Sequence, residues 1–271
     1  MVRIISISNQ KGGVGKTTTA VNLAASLAAA ERSTLLIDLD PQGNACSGLG
    51  LAKQQYSKSI YHVLLGEVSI AEVIVPTALD FLNVVPSNAD LVAADLELVS
   101  AFSREYKLKN AIRSILGQYE FVIIDCPPSL NLLTVNALTA ADSVIVPVQC
   151  EYYALEGLSE LLKTIQLIKD NLNQRLEIEG ILLTMFDARN NLSHQVVQEI
   201  KQHFPNKVFK SLVPRNVKLS ESPSHGKPIL LYDIRSKGSV SYLDLAAELL
   251  EKYKDLKSAQ NLESVQNVMV G

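Results

Sequence analysis

The segment Lys11-Gly12-Gly13-Val14-Gly15-Lys16-Thr17-Thr18 constrains this chain more than any other part of it. Glycines let backbone N–H groups come close to an anion, and a lysine followed by a hydroxyl residue adds a charge and an oxygen ligand. Such a loop works where a strand runs into a helix, because the first helical amides and the helix dipole favour negative charge. The flanking residues meet that condition: Arg3–Ile7 is a short apolar run of strand character, and Thr17–Ala30 is Ala-rich and helical in pattern. The first position of the phosphate-loop pattern holds Asn9 or Gln10 instead of glycine, and Lys11 lies inside the loop.

Further apolar runs read as strands at Ser33–Leu39, Phe81–Val85, Phe121–Ile124, Ser143–Val148, Ile178–Met185 and Lys207–Val213. Helical patterns lie between and after them, at Ala89–Val99, Lys107–Leu116, Leu155–Asn171, Ser193–His203 and Ser239–Lys257. Fully apolar strands alternating with helices predict an α/β fold: a doubly wound, mostly parallel sheet with helices on both faces. No linker or repeat divides the chain. A single phosphate-loop domain is expected over residues 1–257, followed by a polar, frayed tail at 258–271.

Composition narrows the function classes. Hydrophobic residues at 47% and charged residues at 20% allow a large core and argue against disorder. The net charge of −3 argues against a generally basic nucleic-acid binder. The charge is uneven, however: Arg189–Lys237 holds nine basic and three acidic residues, a local +6 that leaves −9 elsewhere. That asymmetry fits either an anionic partner on one face or an ordinary solvated surface. Cys46, Cys126 and Cys150 form no CxxC pair, so neither a disulfide framework nor a zinc site is expected. With no leader pattern and no apolar run near the roughly 18–20 residues needed to span a bilayer, a cytosolic location is expected.

The loop residues imply binding of ATP with Mg²⁺. Lys16 would bring its charge to the β- and γ-phosphates, and the amides from Gly13 to Thr18 would cradle them. The Thr17 hydroxyl would ligate Mg²⁺, a hard ion that takes oxygen donors. Asp125, at the tip of Phe121-Val-Ile-Ile-Asp, is placed to hold the same ion directly or through water.

The second lysine, Lys11, makes the loop a deviant Walker A motif, KGGxGK[ST]. Four further motifs accompany it: Leu36-Ile-Asp-Leu-Asp-Pro-Gln-Gly-Asn44, Ile124-Asp-Cys-Pro-Pro-Ser129, Pro147-Val-Gln-Cys-Glu-Tyr-Tyr-Ala-Leu-Glu-Gly157 and Pro214-Arg-Asn-Val-Lys-Leu-Ser-Glu-Ser-Pro-Ser-His-Gly226. From Met1 to about Lys254 the chain resembles the chromosomal ParA/Soj family of partitioning ATPases.

That resemblance implies roles. Lys11 reaches across a nucleotide-sandwich homodimer, formed on ATP binding, to the partner's phosphates, and Gly12 lets the two loops pass closely. With Lys11 and Lys16, Asp40 completes the catalytic set by orienting and polarising the attacking water. Asp38 points away from that job and supports the switch region. Pro214 and Asn216 hold the adenine, or form a turn with backbone duties only; Val14 and Thr18 complete the phosphate loop. Glu151 is a candidate to reach the opposite nucleotide. The ATP-bound dimer binds double-stranded DNA without sequence preference, through Arg189 and through Lys218, which stands where relatives often carry Arg and loses the bidentate fork. Two +6 segments paired in a dimer make such binding salt-dependent. A ParB-type centromere-binding protein triggers hydrolysis and release, in a cytoplasmic, nucleoid-associated cycle with no stable membrane association.

Three other readings compete. A MinD-like membrane switch needs a basic amphipathic C-terminal helix, whereas Leu243–Tyr253 is amphipathic but acidic. An iron–sulfur reductase would use Cys126 and Cys150, whose surroundings are those of ParA/Soj sequences. A non-hydrolysing role conflicts with the joint presence of Lys16, Thr17, Asp40 and Asp125. A start ten residues before Lys11 is expected to exclude the larger plasmid type.

Overall fold

The apolar runs pair into one eight-stranded sheet in the computed structural model, which describes residues 2–52, 55–151 and 154–269. The strands are β1 (Arg3–Ile7), β2 (Thr34–Asp38), β3 (Val75–Pro76), β4 (Leu82–Val85), β5 (Phe121–Asp125), β6 (Ser143–Gln149), β7 (Glu177–Phe186) and β8 (Val208–Pro214). Their spatial order is β3-β4-β2-β5-β1-β6-β7-β8, and every neighbouring pair is parallel except β3 with β4. Tyr152 and Tyr153, quoted above as motif residues, and Val270 and Gly271 of the tail lie outside the described residues.

Successive residues of a strand point to opposite faces, and this chain fills both. Leu35, Ile37, Val122 and Ile124 enter one core, while Leu36, Phe121 and Ile123 enter the other. The helices are α1 (Lys16–Ala29), α2 (Asn44–Gly48), α3 (Ile60–Leu65), α4 (Leu91–Glu97), α5 (Lys107–Ile112), α6 (Leu132–Ala140), α7 (Ala154–Asn171), α8 (Asn191–His203), α9 (Val217–Glu221), α10 (Ile229–Tyr232) and α11 (Lys237–Met269). Helices α3 to α8 supply the first core, and α1, α10 and α11 cover the second, where Tyr242 is fully buried and shares a hydroxyl contact of 3.2 Å with Thr19.

The differences from the sequence reading have local causes. The expected helix at Ala89–Val99 shortens to α4 and passes into a 3-10 turn at Leu98–Ser100. The short helices α2, α3, α9 and α10 and the two-residue edge strand β3 were not foreseen, since so few residues carry too little periodicity to read; nor was α6, which is largely apolar around its whole circumference and shows no helical stripe. The tail expected to fray from 258 is drawn as helix through Met269. No Pro or Gly lies between Ser239 and Met269 to stop it.

One close approach ties the switch side of the sheet to the α9–α10 turn. Gly50 has φ +80° and Gly226 has φ +61°; a Cβ on Gly226 would lie 2.7 Å from Gly50 Cα, and one on Gly50 2.8 Å from the Gly226 carbonyl oxygen. Backbone cannot move aside as a side chain can. Gly66 has a similar φ of +81° but open space around it. Gly66→Ala should therefore cost only its backbone strain, about 1 kcal/mol, and Gly226→Ala roughly 2–4 kcal/mol. Urea denaturation of the two variants compares these costs, and equal values would remove the contact as the cause.

Candidate active site

The chain leaves β1 at Ile7 and enters α1 at Lys16 through a loop tied to two other strands. Asn9, buried, donates from Nδ2 to the Pro147 carbonyl (2.7 Å) and accepts the Lys11 N–H at Oδ1 (3.0 Å). Thr184 on β7 donates to the Val14 carbonyl at 2.9 Å. Gly13 and Gly15 take φ of +74° and +91°, the left-handed region where a side chain is strained. No atom stands within 4 Å of where a Cβ of Gly12 or Gly13 would be, so the loop's outer face is open. Lys16 is buried, and its Nζ donates back to the Lys11 carbonyl at 2.8 Å.

Parallel register brings the acids to that loop. Asp125, the last residue of β5, lies opposite Ile7 of β1 on one side and Asp38 of β2 on the other. Residues in register point to the same face, so Asp38 and Asp125 stand side by side at the carboxyl edge of the sheet. Asp125 is fully buried and neither carboxylate oxygen has a hydrogen-bond partner. Burial, and then the charge of Asp38, push its pKa well above the usual carboxylate range; the nearby Thr17 hydroxyl works weakly the other way without reaching hydrogen-bond geometry. Asp38 is likewise raised, to about 6, chiefly by burial. Lys16 is lowered by its own burial, opposed by Asp125, Cys126 and Asp40.

A buried carboxylate with no partner is costly, and it is the arrangement that fits a cation. The donors on hand are Asp125 and the Thr17 hydroxyl. Among the described residues no group of three or more His, Cys, Asp or Glu could hold a metal ion. This donor set suits Mg²⁺, which keeps several waters and takes few protein ligands beside phosphate oxygens.

Asp40 follows β2 on a loop with little freedom. Asp38 Oδ1 accepts the Asp40 N–H (3.2 Å), and its Oδ2 accepts the Cys46 N–H (3.0 Å), so Asp38 ties both ends of the segment between them. The Asp40 carboxylate accepts the Gln42 N–H at 2.9 Å. It opens onto a cleft of about 570 Å³ that Lys16, Thr17, Pro128 and Asn131 also line. A second cavity of about 420 Å³ shares Gly15, Thr18 and Met185 with the first and ends at Pro214 and Asn216. Asn216 caps α9 with its Oδ1, accepting the Lys218 N–H at 2.8 Å. Both amide hydrogens and the second lone pair of that oxygen remain available to a ligand. Met185, between the cavities, has φ +51°, which is uncommon for a long side chain.

In the single chain Lys11 and Glu151 form an ion pair, each side chain about one-third to two-fifths exposed. Both residues expected to reach a partner's nucleotide thus hold one another in cis. Arg189 lies in the β7–α8 loop, its side chain 90% exposed, and grips Asp187 through two 3.0 Å hydrogen bonds from Nε and Nη2. Those bonds lower the Asp187 pKa to about 2. Lys218, on α9, pairs with Glu221 at 3.3 Å and lies 5.5 Å from the centre of the Tyr232 ring. Phe186 and Pro214 are in register at the ends of β7 and β8, so the segments that carry Arg189 and Lys218 leave adjacent strands at the nucleotide edge. Cys126 is fully buried with its thiol 3.2 Å from Ser6 Oγ, and burial raises its pKa to about 12. Asn9 and Thr184 were missed by the sequence reading; the only signal was the non-glycine residue at the head of the loop.

A twisted parallel sheet with a glycine loop running from its central strand into a helix, and an acid at the end of the neighbouring strand, is the fold of P-loop nucleoside triphosphatases. A family model described as an AAA domain matches residues 2–178. The chromosome partitioning protein ParA of Myxococcus xanthus is 60% identical over 250 residues, covering 92% of this chain and 88% of that one. The sporulation initiation inhibitor protein Soj of Bacillus subtilis is 56% identical over 249 residues, covering 92% and 98%. A solved structure of cobyrinic acid a,c-diamide synthase from Mycobacterium smegmatis, with bound ADP and magnesium, is 37% identical with a TM-score of 0.83, covering 94% of this chain and 96% of that one. The chain belongs to the ParA/Soj family of chromosome-partitioning proteins.

The raised carboxyls make a pH prediction for the protein free of metal and nucleotide. Their native pKa values exceed the unfolded one, so the folded state takes up protons as pH falls, and the penalty present above about pH 6 fades toward pH 4. Thermal stability should rise from pH 7.5 to pH 5.5, and Asp125→Ala should flatten that rise. A wild-type melting temperature that falls over this interval, as Asp125→Ala does too, would exclude a buried anionic pair.

Proposed function

We propose that this chain is an ATP-hydrolysing DNA-segregation switch, in which an ATP-bound homodimer holds DNA without sequence preference and a ParB-type protein triggers hydrolysis and release. The observation that carries the proposal is the convergence of the amide-lined loop, Lys16 and Asp40 on one cleft, with the buried, unpartnered Asp125 at the end of the strand beside that loop. Loop amides and Lys16 take the phosphates, while Thr17 and Asp125 hold Mg²⁺. The ion supplies positive charge that screens the phosphates and the buried acids together. Asp40 orients and polarises the attacking water. Phosphoryl transfer is mainly positioning and charge stabilisation, so a single carboxylate at that place controls the rate. Family membership and the ADP and magnesium bound in the 37% identical structure support this chemistry.

Two observations support the homodimer. Lys11 is held by a half-buried pair with Glu151 on the open side of the loop, a carboxylate that a phosphate can replace. On the cleft's rim Val92 is 63% exposed, and Leu96, one turn along α4, is 80% exposed, an apolar edge that a second copy can cover. The support for DNA is the +6 segment and the 90% exposed side chain of Arg189.

Sedimentation of the protein with arbitrary duplex DNA, in ATP, in ADP and without nucleotide at two salt concentrations, tests the reading. Wild type should bind only with ATP and less at high salt. Arg189→Glu should lose binding, Lys16→Ala should lose nucleotide binding or turnover, and Asp40→Ala should hold DNA without turning ATP over. Normal hydrolysis by Asp40→Ala would remove the assigned acid. DNA binding indifferent to nucleotide, or absent in every state, would remove the switch.

A further inference from the structure

We propose that Ser87 is a positioning residue for Asp40, a role that rests on the reading of Asp40 as the group that orients the attacking water. Ser87 lies in the corner between β4 and α4, fully buried, and its Oγ donates to the Asp40 carbonyl at 2.7 Å. The Gly43 N–H bonds the same carbonyl at 2.9 Å, while the Asp40 N–H goes to Asp38. Both backbone polar groups of Asp40 are therefore bonded to buried side chains, one on β2 itself and one reaching over from the neighbouring strand's end. Register explains the meeting: Ile37 of β2 faces Val85 of β4, so the residues just beyond each strand arrive together at the carboxyl edge.

Ser87 is itself braced. Its carbonyl accepts the Tyr56 hydroxyl at 2.8 Å, and the next residue, Asn88, bonds the buried Ser59 hydroxyl at 3.0 Å. The preceding carbonyl, of Pro86, accepts the Ile60 N–H at 2.8 Å. The corner is thus a fixed strut, and the Ser87 hydroxyl is its hydrogen bond to Asp40. A short bond to the peptide that bears a catalytic carboxylate sets where that carboxylate points, and small displacements of such a group cost rate more than binding. Nothing in the sequence pattern marks Ser87, because its partner is 47 residues away.

The test is single-turnover ATP hydrolysis with DNA present, alongside nucleotide affinity, for Ser87→Ala, Ser87→Thr and Ser59→Ala. Ser87→Ala should lower the hydrolysis rate about tenfold, the effect of one lost hydrogen bond, and leave ATP affinity within about twofold. Ser87→Thr keeps the hydroxyl and should recover most of the rate. Ser59→Ala removes the bond to the Asn88 side chain and leaves in place the Tyr56 and Ile60 bonds that hold the backbone at Ser87, so it should keep the rate. If Ser87→Ala does not fold, the near-isosteric Ser87→Cys, a weak donor, should show the same loss of rate at unchanged affinity. Wild-type rate in Ser87→Ala, an equal loss in Ser59→Ala, or a parallel loss of ATP affinity would overturn the role. Failure of the underlying reading looks different: wild type would not hydrolyse ATP, or Asp40→Ala would.

Discussion

Everything at the nucleotide edge depends on the register of three parallel strands. With Ile7, Asp125 and Asp38 side by side on β1, β5 and β2, the phosphate loop, the cation-seeking acid and the switch acid arise from chain ends that must lie together. A one-residue slip of β5 or β2 would turn its acid to the other face. The strands resist slipping because both faces are packed: Leu35 and Ile37 are committed to one core and Leu36 to the other. Apolar burial on two sides, with no charge of its own, is what holds two carboxylates in a place that water would otherwise claim.

That division explains what could be read from the sequence. Fully apolar strands and long helices announce themselves, and Arg3–Ile7 and Phe121–Asp125 form essentially as their residues predict. The loop, Lys16, Thr17, Asp40 and Asp125 stand out because phosphate and cation chemistry needs particular residue types at short spacing. What stayed hidden acts at a distance along the chain. Asn9 bonds Pro147, Thr184 bonds Val14 and Ser87 bonds Asp40, each joining residues that only the sheet order brings together. A hydroxyl or amide in such a place looks like any other polar residue until the fold is known. Asn216 is the reverse case: its motif drew attention, yet one lone pair of its carbonyl oxygen is already committed to a helix cap.

Rigidity and availability are distributed by burial. The loop is fixed by bonds from buried side chains, Asn9 and Thr184, so its amides keep their direction whether or not an anion is present. The Asp40 peptide is fixed from two sides, while its carboxylate needs to give up only the Gln42 N–H to meet a new partner. Pre-organised donors of this kind lose little freedom when the ligand arrives, which is where much of their advantage over water lies.

The exposed ion pairs complete the argument by contrast. Lys11–Glu151, Arg189–Asp187 and Lys218–Glu221 each occupy a cation in the isolated chain, and none is buried. Exposed pairs of this sort are worth roughly 0–1 kcal/mol, so exchanging the carboxylate for another anion costs little. Leaving these cations unpaired would gain little in affinity and would add repulsion between like charges. Asp125 is the opposite: its carboxylate is buried with no hydrogen-bond partner, so a cation beside it would offset a penalty that solvent does not relieve. A molecule built this way can be firm about the metal and the nucleotide while its surface partners come and go, which is the property a partition switch needs.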